Sequence, residues 1–174
     1  MFIQFGVMKE AKKLAKIYGL DEEKAEIAGL IHDIAKEMSK DEIIEYAEKH
    51  NIEIDEIEKE QLGLMHAKLG ASIAKEKYNL DKQIQNAILY HTTGNEKMDK
   101  FAKIIYLADK LEENRTYDGV EELRKTAEKD LEITMLVIID FVLKKSIKNG
   151  KLIHPDTIDL RNSIIKQLEN SKKN

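Results

Sequence analysis

A single proline, Pro155, and eight glycines leave little to interrupt helices along 174 residues. Both residue types are the costliest in a helix interior, so the chain points to an all-α fold. Its length is enough to bury one well-packed core. Apolar residues recur at helical spacing. One predicted helix covers Met8 to Tyr18 and stops at Gly19, and Asp21 caps a second that runs to about Lys36. Ser39-Lys-Asp-Glu42 is a capping box for a short helix ending near Asn51. The charged stretch from Glu53 to Glu60 leads into a helix ending around Tyr78 and Asn79. Asp81 opens the next, which ends at His91-Thr-Thr-Gly94, and Asp99 caps another. Further helices span residues 120–129 and 131–149. The segment Leu131 to Leu143 is apolar nearly all round and is expected to be the central core helix. The tail from Asp156 to Lys172 is amphipathic through Ile158, Ile164, Ile165 and Leu168. Neither a repeat nor a linker divides the chain.

Composition narrows the chemistry. Without cysteine there are no disulfides or thiolate ligands, so any metal must use nitrogen and oxygen donors. No apolar run has membrane-spanning length and no secretory pattern opens the chain, which points to a cytoplasmic protein. A net charge of −4 with 36% charged residues gives no overall attraction to nucleic acid. A small anionic substrate held by a local positive site fits better than a polymer. A homodimer is compatible with the sequence, although no isolated apolar stripe demands one.

Within Gly29-Leu-Ile-His-Asp-Ile-Ala-Lys36, two strong metal ligands, His32 and Asp33, stand side by side in an apolar helical stretch. Desolvating both is costly unless something pairs with them, and a metal ion serves both at once. Lys36 lies on the same face, and a cation beside a metal suits a phosphate. His66 in Leu64-Met-His66-Ala67, His91 in Leu89-Tyr-His91 and Asp109 in Tyr106-Leu-Ala-Asp109 are each set among small and apolar residues. Any one of these alone is more often a satisfied core residue. Four helices, each offering inward donors, are the way a helix bundle assembles a metal site. His50 sits at a polar helix end and reads as a solvated last-turn residue.

His32-Asp33, His66, His91 and Asp109, in that order, resemble the HD-domain superfamily of metal-dependent phosphohydrolases. The whole chain is similar to its YqeK family, which hydrolyses diadenosine tetraphosphate symmetrically. The likeness is carried by Ala28–Lys36, His66–Ala71, Tyr90–Gly94, Lys103–Asp109, Asn114-Arg115, Gly119-Val120 with Leu123-Arg124, and Ile153–Ile158, and it extends over roughly residues 6–165. It implies a single HD-domain helical bundle over residues 1–174. His32, Asp33 and Asp109 would ligate an iron ion, His66 and His91 would line the site or hold a second ion, and Asp33 would bridge the two. The metal would polarise a phosphoryl oxygen and activate water. Lys36 and Arg115 would neutralise the polyphosphate, and Thr92 and Thr93, otherwise ordinary turn residues, would donate hydroxyl hydrogen bonds to it. Leu152, Ile153, His154, Pro155, Asp156 and Thr157 suffice as a helix start, but the resemblance implies that this loop approaches the nucleotide.

One position departs from the pattern. Relatives carry a further histidine ligand in a His-Ser-x-Gly-Val pattern before Gly6-Val7, where this chain reads Ile3-Gln-Phe-Gly-Val7. Phe-Ile-Gln-Phe can be encoded TTC ATT CAA TTT, and one shifted frame reads CAT TCA ATT, or His-Ser-Ile. The chain is therefore expected to have one ligand fewer, through a frameshift or truncation at a false Met1 or through a natural loss of the histidine. Three functions follow: symmetrical cleavage of diadenosine tetraphosphate to two ADP, hydrolysis of another nucleotide by the shared superfamily site, or a metal-depleted nucleotide-binding domain without turnover.

Overall fold

The computed structural model describes residues 2–171 and 173. Among them the chain is all-α, with helices α1 (Phe2–Ile17), α2 (Glu22–Ile31), α3 (Lys40–Lys49), α4 (Glu56–Glu60), α5 (His66–Glu76), α6 (Lys82–Tyr90), α7 (Lys100–Leu111), α8 (Val120–Ala127), α9 (Leu131–Lys148) and α10 (Pro155–Ser171). A 3-10 turn over Leu62–Met65 precedes α5. The expected false start at Met1 and the expected helix end at Lys172 lie outside the described residues.

Local chemistry sets most of the helix starts. Asp21, Asp81, Asp99 and Asp130 each accept the backbone N–H three residues on. Ser39 with Glu42, and Asp55 with Glu58, close reciprocal capping boxes. Each such cap contributes about 1 kcal/mol. The caps at Asp55 and Asp130 were not among those expected.

The central helix is α7, not α9. Every residue from Phe101 to Ala108 is buried, and α7 packs against α1, α2, α6, α8 and α9. By contrast, α9 packs mainly on α7, α8 and α10, which leaves one of its apolar faces uncovered. Ile133, Val137 and Phe141, four residues apart, are 38–43% exposed on that face. An apolar stripe therefore exists where the sequence pattern suggested none. In α10, Leu160 and Ile164 turn inward while Ile158 turns outward.

A second, smaller apolar cluster gathers Ala35, Ile43, Ala47, Met65, Leu69 and Ile73 beneath α3 and α5. Ile31 packs on the main core, whereas Ile34 and Ala35 belong to the smaller cluster, so His32-Asp33 falls at the seam between them. The helix does not continue to Lys36. It ends at Ile31, and residues 32–37 run on as turns closed by Ile34 N to Ile31 O and Lys36 N to Asp33 O.

Close approach of α1 to α2 fixes that seam. A Cβ at Gly29 would stand 2.9 Å from Met8 Cα and 3.1 Å from Val7 O, both backbone atoms. Gly29→Ala should therefore cost about 1–3 kcal/mol by overpacking in urea denaturation. A loss under about 0.5 kcal/mol, the range of an indifferent surface change, would contradict this contact.

Candidate metal centre

Three histidines are built in one way. His32 follows the last turn of α2, His66 opens α5, and His91 follows α6. In each, Nδ1 reaches the carbonyl three residues earlier: Gly29 for His32 and Ile88 for His91, both at 2.7 Å, and Gly63 for His66. A carbonyl only accepts, so Nδ1 carries the proton and Nε2 is left with a lone pair. Local backbone thus sets the tautomer before any ligand arrives.

Those Nε2 atoms converge on two carboxylates. His66 and His91 lie 3.2 and 3.3 Å from Asp33 Oδ1, while His32 lies 3.3 Å from Asp33 Oδ2 and 3.7 Å from Asp109 Oδ1. The His66 and His91 Nε2 atoms face each other at 3.0 Å. In neutral rings both would present lone pairs there, a repulsion that a bound cation would relieve. His32 Nε2 is buried without a hydrogen-bond partner. Metal–donor bonds of about 2.1 Å place two ligands of one ion roughly 3.0–3.6 Å apart. The spacings around Asp33 and between His66 and His91 fall in that range, and His32 to Asp109 at 3.7 Å lies just beyond it, so the residues fit one or two divalent cations. His32, Asp33 and His91 already form a compact, wholly buried ligand group.

Cations surround the carboxylates. Lys36 Nζ is 2.6 Å from Asp33 Oδ2, Lys110 Nζ is 2.8 Å from Asp109 Oδ2, and Arg115 reaches Asp109 Oδ1 at 2.9 Å. Burial opposes charge on Asp33, yet the three imidazoles hold its carboxyl well below the usual carboxylate range. Asp109, half-buried, is likewise held low, by Lys110 and His32. Burial alone would pull His32 down, but Asp109 and Asp33 outweigh it and lift it to about 9. Burial pushes His91 down to about 4, against the pull of Asp33.

Three supporting residues escaped sequence reasoning. Lys110 also donates to the His91 carbonyl at 2.9 Å and lies 4.3 Å over the Tyr106 ring. Glu112 is buried, accepts from Asn114 N at 2.8 Å and pairs with Arg115 at 3.3 Å. Gly6 leaves room for it, since a Cβ there would overlap Glu112 Oε2. Arg124 donates to the Leu111, Glu112 and Arg115 carbonyls and so fixes the loop that carries Arg115. Glu112 reads as part of an ordinary solvated run, Glu112-Glu-Asn-Arg115. Only Arg124, in a segment already tied to the family likeness, gave a signal.

The remaining expected residues lie to one side. Thr92 Oγ1 is within 3.2 Å of His66 Nε2 and 3.3 Å of His91 Nε2, whereas the Thr93 hydroxyl donates to the Gly94 carbonyl. Thr157 donates to the Thr93 carbonyl at 2.7 Å, tying the start of α10 to this turn. Leu152, Ile153, His154 and Thr157 line a cavity of about 200 Å³ with Thr92 and Thr93. Pro155 and Asp156 form the first turn of α10, and Asp156 accepts from Asn95 at 2.9 Å. His154 has the opposite tautomer to the other three: Nδ1 accepts from Asp156 N at 3.2 Å and Nε2 donates to Asp55 at 2.9 Å. It joins α10 to α4. His154, Asp55 and Glu58 are close enough for a metal, but Asp55 is a helix cap and Glu58 is paired with Lys68 at 2.6 Å, so their lone pairs are already used. His50 caps the end of α3, stacked on Tyr46 and paired with Glu76. Ile3 is 45% exposed on α1, one turn before Gly6, and the neighbouring Gln4 Oε1 is buried without a partner.

The shift at His32 has a direct consequence for metal-free protein. Raised from 6.5 to about 9, this imidazole stabilises the fold fully below 6.5, and the contribution is lost as pH rises through about 9. Stability of the metal-free form should therefore decline over that window. Metal must displace this proton, so calorimetry at neutral pH in Tris and in HEPES should show release of about one proton per ion bound. Binding enthalpies independent of the buffer would contradict this.

Residues 4–114 match the HD domain. The symmetrical bis(5'-nucleosyl)-tetraphosphatase of Halalkalibacterium halodurans is 39% identical over 165 residues, which cover 92% of this chain and 86% of that one. A protein of the same name from Bacillus subtilis is 36% identical over 153 residues, 87% and 82% of the two chains. The crystal structure of a predicted HD superfamily hydrolase involved in NAD metabolism, from Clostridium acetobutylicum, matches with a TM-score of 0.91 at 40% identity, over 95% of this chain and 88% of that one. With His32-Asp33, His66, His91 and Asp109 gathered at one largely buried site, the chain belongs to the HD domain family.

Proposed function

We propose that this chain is a metal-dependent phosphohydrolase that cleaves diadenosine tetraphosphate symmetrically to two ADP, residues 1–174 acting as one HD domain in the cytoplasm. The observation that carries the proposal is the ring of bare Nε2 atoms around Asp33, with Lys36, Lys110 and Arg115 against the carboxylates. Relatives that bear the symmetrical tetraphosphatase name, similar over most of the chain, support the substrate.

His32, Asp33 and Asp109 would hold one ion, and His66 and His91, together with Asp33, would hold any second one. The nitrogen and oxygen donors suit iron, and bound metal supplies Lewis-acid stabilisation of phosphoryl charge and activation of water. The chain's own residues do the rest. Lys36 and Arg115 sit where they neutralise the inner phosphates. Thr92 can turn its hydroxyl from the imidazoles to a phosphoryl oxygen. The loop Leu152–Thr157 closes the side of the cavity where one nucleoside would lie. In the reaction, water oxygen bonds to one inner phosphorus and the central P–O bond breaks. One ADP leaves, and the water oxygen remains in the other.

Incubation with diadenosine tetraphosphate and added Fe²⁺ or Mn²⁺ should yield ADP alone by chromatography. AMP with ATP would contradict symmetrical cleavage. Asp33→Ala removes the carboxylate shared by three imidazoles and should reduce turnover and metal retention well beyond the roughly 10–100-fold typical of outer ligand supports. Unchanged turnover would remove Asp33 from the mechanism.

A metal-depleted nucleotide-binding domain is favoured by one observation, the non-ligating Ile3 on α1. If a ligand is missing there, Ile3→His should raise retained metal by about tenfold or more. Equal metal content in both proteins would mean that the remaining donors suffice.

A further inference from the structure

A second cavity opens on the other flank of the metal centre. It measures about 320 Å³ and is lined by Asp109, Arg115, Tyr117, Phe141, Lys145 and Lys151, among others. Val142, Ser146 and Lys151 also line the cavity formed by Thr92, Thr93 and the Leu152–Thr157 loop, so the two adjoin along α9 and the segment after it. Between them runs an unbroken line of candidate ligands. Asp109 lies 3.7 Å from His32, His32 3.3 Å from Asp33, Asp33 3.3 Å from His91, and His91 3.3 Å from Thr92. A chain of phosphates that touched both Asp109 and Thr92 would follow this line of ligands.

The chemistry of the new cavity suits a nucleoside diphosphate. The Tyr117 and Phe141 rings stack with centroids 4.7 Å apart and planes 23° apart, and Tyr117 is tied down by its hydroxyl bond to the Lys110 carbonyl at 3.0 Å. Phe141 is 38% exposed, a rigid aromatic surface on which a base can stack. Among the described residues, neither Lys145 nor Lys151 is paired with a carboxylate, although Arg115 beside them is. Two uncommitted ammonium groups next to an aromatic platform match the phosphates and base of one ligand. A protein that cuts a symmetrical dinucleotide at its centre needs a nucleoside site on each side of the cut.

We infer that the Tyr117–Phe141 cavity is a second nucleoside-diphosphate subsite, with the base on Phe141 and the phosphates on Lys145 and Lys151. The inference rests on the proposed cleavage of a dinucleoside tetraphosphate and adds the residues that would hold its second half. Equilibrium dialysis with labelled ADP and Mn²⁺ counts the sites directly. The unaltered chain should bind two ADP. Phe141→Ala should weaken one of them by about tenfold, as expected for lost base stacking. Lys145→Glu should weaken the same site at least as much, and the diadenosine tetraphosphate KM should rise in both variants. Thermal melting confirms that these exposed positions leave the fold intact. One ADP site or none in the unaltered chain, or two undiminished sites in both variants, would overturn the subsite. Failure of the hydrolase proposal looks different: two ADP bound, with no cleavage of the tetraphosphate.

Discussion

The site depends on one repeated interaction, the hydrogen bond from an imidazole Nδ1 to the carbonyl three residues earlier. It costs the fold little, because these carbonyls stand at helix ends or in a tight turn. Its effect is to decide which nitrogen is bare. With Nδ1 donating to backbone in three rings, three Nε2 atoms converge on Asp33, and the charge balance of the centre follows. Two carboxylates are kept ionised, three side-chain cations lie against them, and one imidazole takes up a proton where a metal would otherwise stand. Burial of His32, Asp33 and His91 makes these choices costly to reverse, since a charge left unpaired there is poorly solvated.

Position at the seam gives the centre both rigidity and access. His32-Asp33 is held from one side by the core around α7 and from the other by the small cluster under α3 and α5. The close packing of Gly29 on α1 and of Gly6 on Glu112 transmits that rigidity to both carboxylate-bearing segments. Cavities flank the ligands rather than enclose them, which suits a long polyanion better than a compact one.

Much of this was legible in the sequence because it is local. The caps at Asp21, Ser39, Asp81 and Asp99 need only a side-chain oxygen and a backbone N–H three residues on. The candidate ligands stood out as polar residues isolated in apolar helices. What escaped depends on tertiary contact. Leu131–Leu143 is apolar on two faces, but only packing decides which face is covered, and α7 takes the centre instead. The apolar period runs on through Ile34 and Ala35, so nothing in the pattern shows that the helix yields at His32. Lys110, Glu112 and Arg124 carry charges that usually face water. Their roles come from carbonyls and carboxylates brought to them by the fold of the α7–α8 loop.

The central claim is that these bare nitrogens and two carboxylates form a metal site. Anomalous diffraction from crystals grown with Mn²⁺ tests it most directly. A peak is expected within ligand distance of His32 Nε2, Asp33 and Asp109, with any second peak between Asp33 and the His66–His91 pair. Ordered crystals with no peak there, or with the ion bound only at Asp55, Glu58 and His154, would contradict it.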